Sequence, residues 1–139
     1  MTRLPVLLLL LALGTLQVQA QSTIPATVLK VVDGDTFDAE LYPLPDTTRR
    51  VRVRVLELDT PELRGQCAKE REMAQAAKLR AAELLTGRFR LEVPEARAFD
   101  KFGRLLAQVK LEDGRYLAGV LIREGLGRRW TGQRESWCE

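Results

Sequence analysis

Three short stretches of this chain carry side chains able to work on a phosphodiester. They are Asp33-Gly34-Asp35-Thr36, the run from Arg54 to Asp59-Thr60-Pro61-Glu62, and Asp100-Lys101-Phe102-Gly103-Arg104. Asp33 and Asp35 stand two apart at a turn; in extended backbone they project to one side and can help hold a hard cation. Asp59 is a candidate ligand for the same ion, and Glu62 a candidate base or water-orienting carboxylate. Arg54 and Arg104 bring planar, permanently charged forks that suit phosphate oxygens. Two such forks and a cation would meet the charge that develops on phosphorus in the transition state.

Each stretch also has a purely structural reading. Asp33-Gly34 is turn chemistry, with Asp35 free to satisfy nearby backbone N–H groups. Asp59 could cap a following helix, with Glu62 as its capping-box partner. Asp100–Arg104 could be a hairpin turn with solvated charges. Composition narrows the field. The chain has no histidine, which excludes Ser–His–Asp triads, paired-histidine ribonuclease chemistry and His-ligated zinc. Its two cysteines, Cys67 and Cys138, are too few for a Cys₄ metal site. In an exported protein such a pair reads first as a disulfide.

Export is what the N-terminus suggests. Arg3 gives a positive start, Leu7–Leu13 an apolar centre and Val18-Gln19-Ala20 a small-residue cleavage site. The run is too short for a spanning helix. Met1–Ala20 is expected to be a signal peptide cut after Ala20, leaving Gln21–Glu139 as one domain, secreted or periplasmic, without stable membrane association. Loss of Arg3 lowers the formal charge by one from +3, too mild a bias to argue for nucleic acid by itself. Arginines cluster at Arg50, Arg52 and Arg54 and again at Arg123, Arg128, Arg129 and Arg134; either cluster alone reads as a solvated face.

The elements that would position these groups follow from periodicity. Thr27–Val32 and Thr36–Tyr42 are predicted strands, the latter with Phe37, Ala39 and Leu41 on one face. Leu44–Thr47 is a predicted loop. Arg50–Val55 sets three arginines against Val51, Val53 and Val55. Beyond Pro61 the period becomes helical, with Met73, Ala77, Ala81 and Leu84 on one face and Ala74 and Leu85 flanking it. Phe89, Leu91 and Val93 predict a fourth strand, Leu105 to Leu111 a fifth, and Tyr116–Glu124 a short helix. The order βββ-α-ββ-α suits a five-stranded OB-type barrel: mainly β, with helices.

Taken together, Val32-Asp33-Gly34-Asp35-Thr36, Arg54…Asp59-Thr60-Pro61-Glu62, Asp100-Lys101-Phe102-Gly103-Arg104 and Leu121-Ile122-Arg123-Glu124-Gly125-Leu126 resemble the staphylococcal nuclease (thermonuclease) family, from about Val28 to Leu126. The resemblance implies an OB-fold, calcium-dependent endonuclease acting on DNA and RNA. Asp35 and Asp59 then match the calcium carboxylates, Thr60 a backbone-carbonyl ligand and Asp33 an outer-shell acid. Glu62 matches the proposed base, Arg54 and Arg104 the arginines on the scissile phosphate, and Lys101 a neighbouring phosphate contact. The sequence also departs from the family. Phe102 stands for a tyrosine, the segment after Glu62 is short, and the tyrosines that stack on a base are missing, leaving Trp130 to substitute. The family's long C-terminal helix is absent from the sequence, and a Cys67–Cys138 disulfide is expected to tie down the tail. A monomer is expected. The rival expectation is a non-catalytic OB-fold module that binds single strands or oligosaccharide.

Overall fold

The computed structural model describes residues 21–138; the export signal expected over Met1–Ala20 lies outside the described residues. Three strands come first: β1 (Gln21–Asp33), β2 (Thr36–Leu44) and β3 (Thr47–Val55). They form the expected antiparallel meander, with Val31 opposite Phe37 and Thr36 opposite Arg54. After a two-residue strand, β4 (Leu58–Asp59), comes the helix α1 (Ala68–Leu84). Strands β5 (Arg88–Pro94) and β6 (Leu105–Lys110), helix α2 (Leu117–Arg123) and a short β7 (Arg128–Arg129) complete the chain. The five long strands close as a barrel in the order β1-β2-β3-β6-β5, as the OB-type reading expects. Closure needs β5 on β1 and a parallel β3–β6 pairing that sets Arg54 beside Leu106.

Alternation decides what fills the barrel. Phe37, Ala39, Leu41, Val53, Val55, Phe89, Leu91, Leu105, Ala107 and Val109 all point inward and are buried. Phe37 and Phe89 meet edge to face at 5.6 Å between centroids, an arrangement that adds about 0.5–1.5 kcal/mol beyond burial alone. Leu117, Val120 and Leu121 of α2 pack on the same core. Among the described residues no helix is long and apolar enough to cross a membrane.

Three sequence expectations need correction, and one pairing is new. The loop expected over Leu44–Thr47 shrinks to a tight turn, because β2 runs to Leu44, β3 starts at Thr47 and Asp46 takes a positive φ of 61°. On α1 the buried positions are Ala74, Ala77, Ala81 and Leu85, with Met73 and Leu84 at the margin. The small alanines let α1 approach the sheet closely, and the bulkier side chains flank that contact. The capping box is not formed, since α1 begins at Ala68 with Cys67 as N-cap, its sulfur accepting from the N–H of Glu70. Finally β4 pairs with β7, Asp59 opposite Arg128 and Leu58 opposite Arg129. Two residues are too few to show a period, so neither strand was legible.

Candidate active site

The ends of β1 and β2, the β3–β4 corner and the turn before β6 meet at one cleft of about 660 Å³. It is lined by Asp33, Asp35, Arg54, Asp59, Glu62, Lys101, Arg104 and Trp130, so the structure brings together residues spread over nearly a hundred positions. Thr60 lies beneath them, 1 % exposed.

The Asp33–Asp35 turn is held from below. Asp33 accepts from the N–H of Asp35 at 3.1 Å, and Thr36 donates its hydroxyl to Asp35 at 2.9 Å. The other Asp35 oxygen accepts from the N–H of Thr60 at 3.1 Å, a contact across 25 residues that locks the turn to β4. Gly34 makes this approach possible: a Cβ there would stand 2.8 Å from Thr60 Cγ2 and 2.9 Å from Ala77 Cβ. Arg54 is 16 % exposed and reaches Asp35 at 3.3 Å while donating to the Val55 carbonyl at 2.7 Å.

The Asp100–Arg104 turn shows why that pentapeptide carries an aspartate. Asp100 accepts from the N–H of Phe102 and of Arg104, both at 2.9 Å, and from Arg104 Nε at 2.7 Å. Gly103, at φ 76°, completes the turn. The hairpin-turn reading is therefore part of the functional one, because the turn aims Arg104 into the cleft. Phe102 is 71 % exposed, with Lys101 Nζ 5.1 Å from its ring centroid. Trp130 stands on the rim, 41 % exposed, its backbone N–H donating to the Glu57 carbonyl.

Negative charge is crowded at one end of the cleft. Burial, then the neighbouring Asp35 and Glu62, push the Asp33 carboxyl up to about 7. Among the described residues, Thr60 Oγ1 is the buried side-chain atom that lacks a hydrogen-bond partner, a group that native structures rarely leave unsatisfied. The carboxylates of Asp33, Asp35 and Asp59 in the cleft are oxygen donors of the kind a hard cation takes. Asp33, Asp35 and Asp59 line this cleft, and Thr60 is tied to Asp35 through its backbone N–H.

The structure joins Cys67 and Cys138 as a disulfide, Cα atoms 5.9 Å apart. It also shows residues that sequence reasoning missed. Arg128 is not part of a solvated face, and Arg134, though exposed, has a carboxylate partner. Arg128 donates through Nε to Asp59 at 2.9 Å, and Arg134 pairs with Glu62 at 2.8 Å. Glu70, 7 % exposed, accepts from the N–H groups of Glu62 at 3.3 Å and Gln66 at 2.9 Å, shaping the loop that presents Glu62. A signal for the arginines was available: a Cys67–Cys138 bridge pins the tail close behind Glu62, within reach of the arginines that precede Cys138.

Comparison with known proteins identifies relatives of this chain. A family model described as "Staphylococcal nuclease homologue" matches residues 52–137. The SPbeta prophage-derived endonuclease YokF of Bacillus subtilis (strain 168) is 35% identical over 106 residues, covering 76% of this chain and 34% of YokF. Endonuclease YncB of the same organism is 35% identical over 103 residues, covering 73% of this chain and 46% of YncB. The chain thus spans between about a third and a half of the length of these relatives.

Proposed function

The chain belongs to the staphylococcal nuclease family, and from that premise we propose that it is an exported, calcium-dependent endonuclease hydrolysing phosphodiester bonds of DNA and RNA. The observation that carries the proposal is the convergence of Asp33, Asp35, Asp59 and Glu62 with Arg54, Lys101 and Arg104 in one cleft. An acidic cluster alone would repel a polyanion. An acidic floor ringed by guanidinium and ammonium groups can accept a phosphate and a cation together.

Asp35, Asp59 and Thr60 would hold the ion, which when bound supplies Lewis-acid polarisation of a phosphate oxygen. Glu62 sits at the mouth of the cleft and would orient or deprotonate the attacking water; with no histidine in the chain, a carboxylate is the available base. Arg104, steadied by Asp100, and Arg54, steadied by Asp35 and Val55, would receive the equatorial oxygens. Lys101 would contact a neighbouring phosphate, and Trp130 would offer an exposed ring to a base. By family resemblance water attacks phosphorus and the 5′ oxygen leaves, giving 3′-phosphate ends. The mature protein would be Gln21–Glu139, a monomer released to the periplasm or medium after cleavage behind Ala20.

The test is digestion of plasmid DNA and of RNA by purified mature protein in calcium, then in excess chelator. Cleavage of both, abolished by the chelator, is expected. Binding without turnover in calcium would instead favour a non-catalytic OB-fold module.

A further inference from the structure

We propose that residues 128–138, closed by the Cys67–Cys138 disulfide, complete the cation site, with Arg128 as a positioning residue for Asp59. The proposal rests on the reading of Asp59 as a cation ligand and goes beyond it to what holds that carboxylate in place.

Arg128 is gripped on every side of its guanidinium. Nε donates to Asp59 Oδ2 at 2.9 Å, one terminal nitrogen donates to the Ser136 carbonyl at 3.1 Å, and the other to the Glu135 carbonyl. The guanidinium carbon lies 3.9 Å from the centroid of the Trp137 ring, a stacking geometry open to arginine and not to lysine. Asp59 is 5 % exposed, so its orientation is set by these partners and by the Asp59–Arg128 pairing of β4 with β7. With Oδ2 engaged by Arg128, the cation falls to Oδ1 in this reading. The pairing is close because position 127 is glycine: a Cβ there would stand 2.7 Å from Leu58 Cδ1 and 3.2 Å from the Asp59 carbonyl.

The carbonyls that grip Arg128 belong to a tail with little core of its own, since residues 130–136 are exposed. What fixes that tail is the bond from Cys138 to Cys67, the N-cap of α1. The same anchorage reaches Glu62. Cys138 Sγ lies 3.6 Å from Glu70 Oε2, Glu70 accepts from the N–H of Glu62, and Arg134 of the tail pairs with the Glu62 carboxylate. One disulfide therefore closes a strap over both edges of the acidic floor. Partners that orient a metal-binding carboxylate typically change metal affinity or activity by about 10–100-fold when removed.

The test uses charge-conserving changes, so that loss of orientation is not confused with loss of charge. Calcium binding to mature protein is measured by calorimetry for wild type, Arg128→Lys, the Cys67→Ser/Cys138→Ser pair, and the combination. Far-UV circular dichroism checks that the barrel is intact. Arg128→Lys and the cysteine pair should each weaken calcium binding by about tenfold, and the combination should be no weaker than the weaker of the two. Arg128→Lys keeps the disulfide, so it carries the test even if the cysteine pair fails to fold. In cleavage assays Arg128→Lys should lower kcat and leave the KM for substrate unchanged, an outcome that a merely structural role would not give. Wild-type calcium affinity in Arg128→Lys overturns the proposal, as do additive effects or a wild-type protein that binds no calcium. Wild-type protein that binds calcium yet cuts neither DNA nor RNA refutes the nuclease reading instead, and the strap is then judged on calcium affinity alone.

Discussion

Arg104→Lys separates a transition-state contact from simple attraction of a polyanion. In the structure the Asp100 carboxylate takes the backbone N–H and Nε of Arg104. Among the described residues, the guanidinium's hydrogen bond to protein runs through Nε, and Arg104 lines the cleft with its guanidinium carbon 5.4 Å from the Phe102 ring centroid. Lysine keeps the positive charge but loses both the tether and the fork. Removing one donor to a developing oxyanion costs about 10²–10³ in rate, near 3–4 kcal/mol. Arg104 is 29 % exposed at the side chain, so water can replace part of that contact. The expected loss in kcat is then at least about tenfold, or ~1.4 kcal/mol, with KM nearly unchanged because Lys101 still meets the substrate. The assay is steady-state cleavage of a short single-stranded oligonucleotide at saturating calcium. A control is built into the fold. Asp113 accepts from the N–H and Nε of Arg115 at 3.0 and 2.8 Å, the same device outside the cleft, so Arg115→Lys should retain wild-type kcat. Equal turnover in wild type, Arg104→Lys and Arg115→Lys would refute the reasoning.

Further outcomes follow from the floor of the cleft. Asp35→Asn preserves shape and removes one ligand charge, so calcium affinity should fall at least about tenfold by titration, with the fold retained. Gly34→Ala forces a methyl against Thr60 and Ala77 and should cost about 1–3 kcal/mol in urea unfolding, with turnover falling as Asp35 shifts. Asp33, with its carboxyl pushed up to about 7 from an ordinary 3.8, binds its proton more tightly folded than unfolded. In chelator its contribution to stability should therefore be greatest below about pH 4 and decline as pH rises towards 7. Asp33→Asn should flatten that decline and be the more stable protein at pH 8 by ~1–2 kcal/mol, a value reduced for the part of the group that water still reaches.

What could be seen in advance tracks the physics of each element. The barrel strands alternate over six or more residues with one face fully buried, as in Phe37-Asp38-Ala39-Glu40-Leu41, and such a pattern survives without knowledge of neighbours. That Asp33, Asp35, Arg54, Asp59, Glu62 and Arg104 meet at one cleft was legible for a different reason: carboxylates at turns and arginines at strand ends are placed by local geometry once the barrel order is known. Arg128 and Arg134 had one signal, the expected disulfide, and Glu70 had none. Their roles depend on the Cys67–Cys138 bridge carrying a tail of little periodicity back across the fold, and on β4–β7, a pairing of two residues on each side. On α1 the predicted face of Met73, Ala77, Ala81 and Leu84 was turned by packing against β1, so that Ala74 and Leu85, expected to flank it, are buried with Ala77 and Ala81.

The central claim is that water, prepared by Glu62, attacks a phosphorus held by Arg54 and Arg104. The most direct measurement is cleavage of a defined oligonucleotide in ¹⁸O-labelled water with calcium, followed by mass spectrometry of the new ends. The account predicts ¹⁸O in a 3′-phosphate opposite a 5′-hydroxyl, with the rate falling by about 10²-fold or more in Glu62→Gln. Cyclic 2′,3′-phosphate from RNA with no uptake of label, label in a 5′-phosphate, or a Glu62→Gln protein as fast as wild type would contradict it.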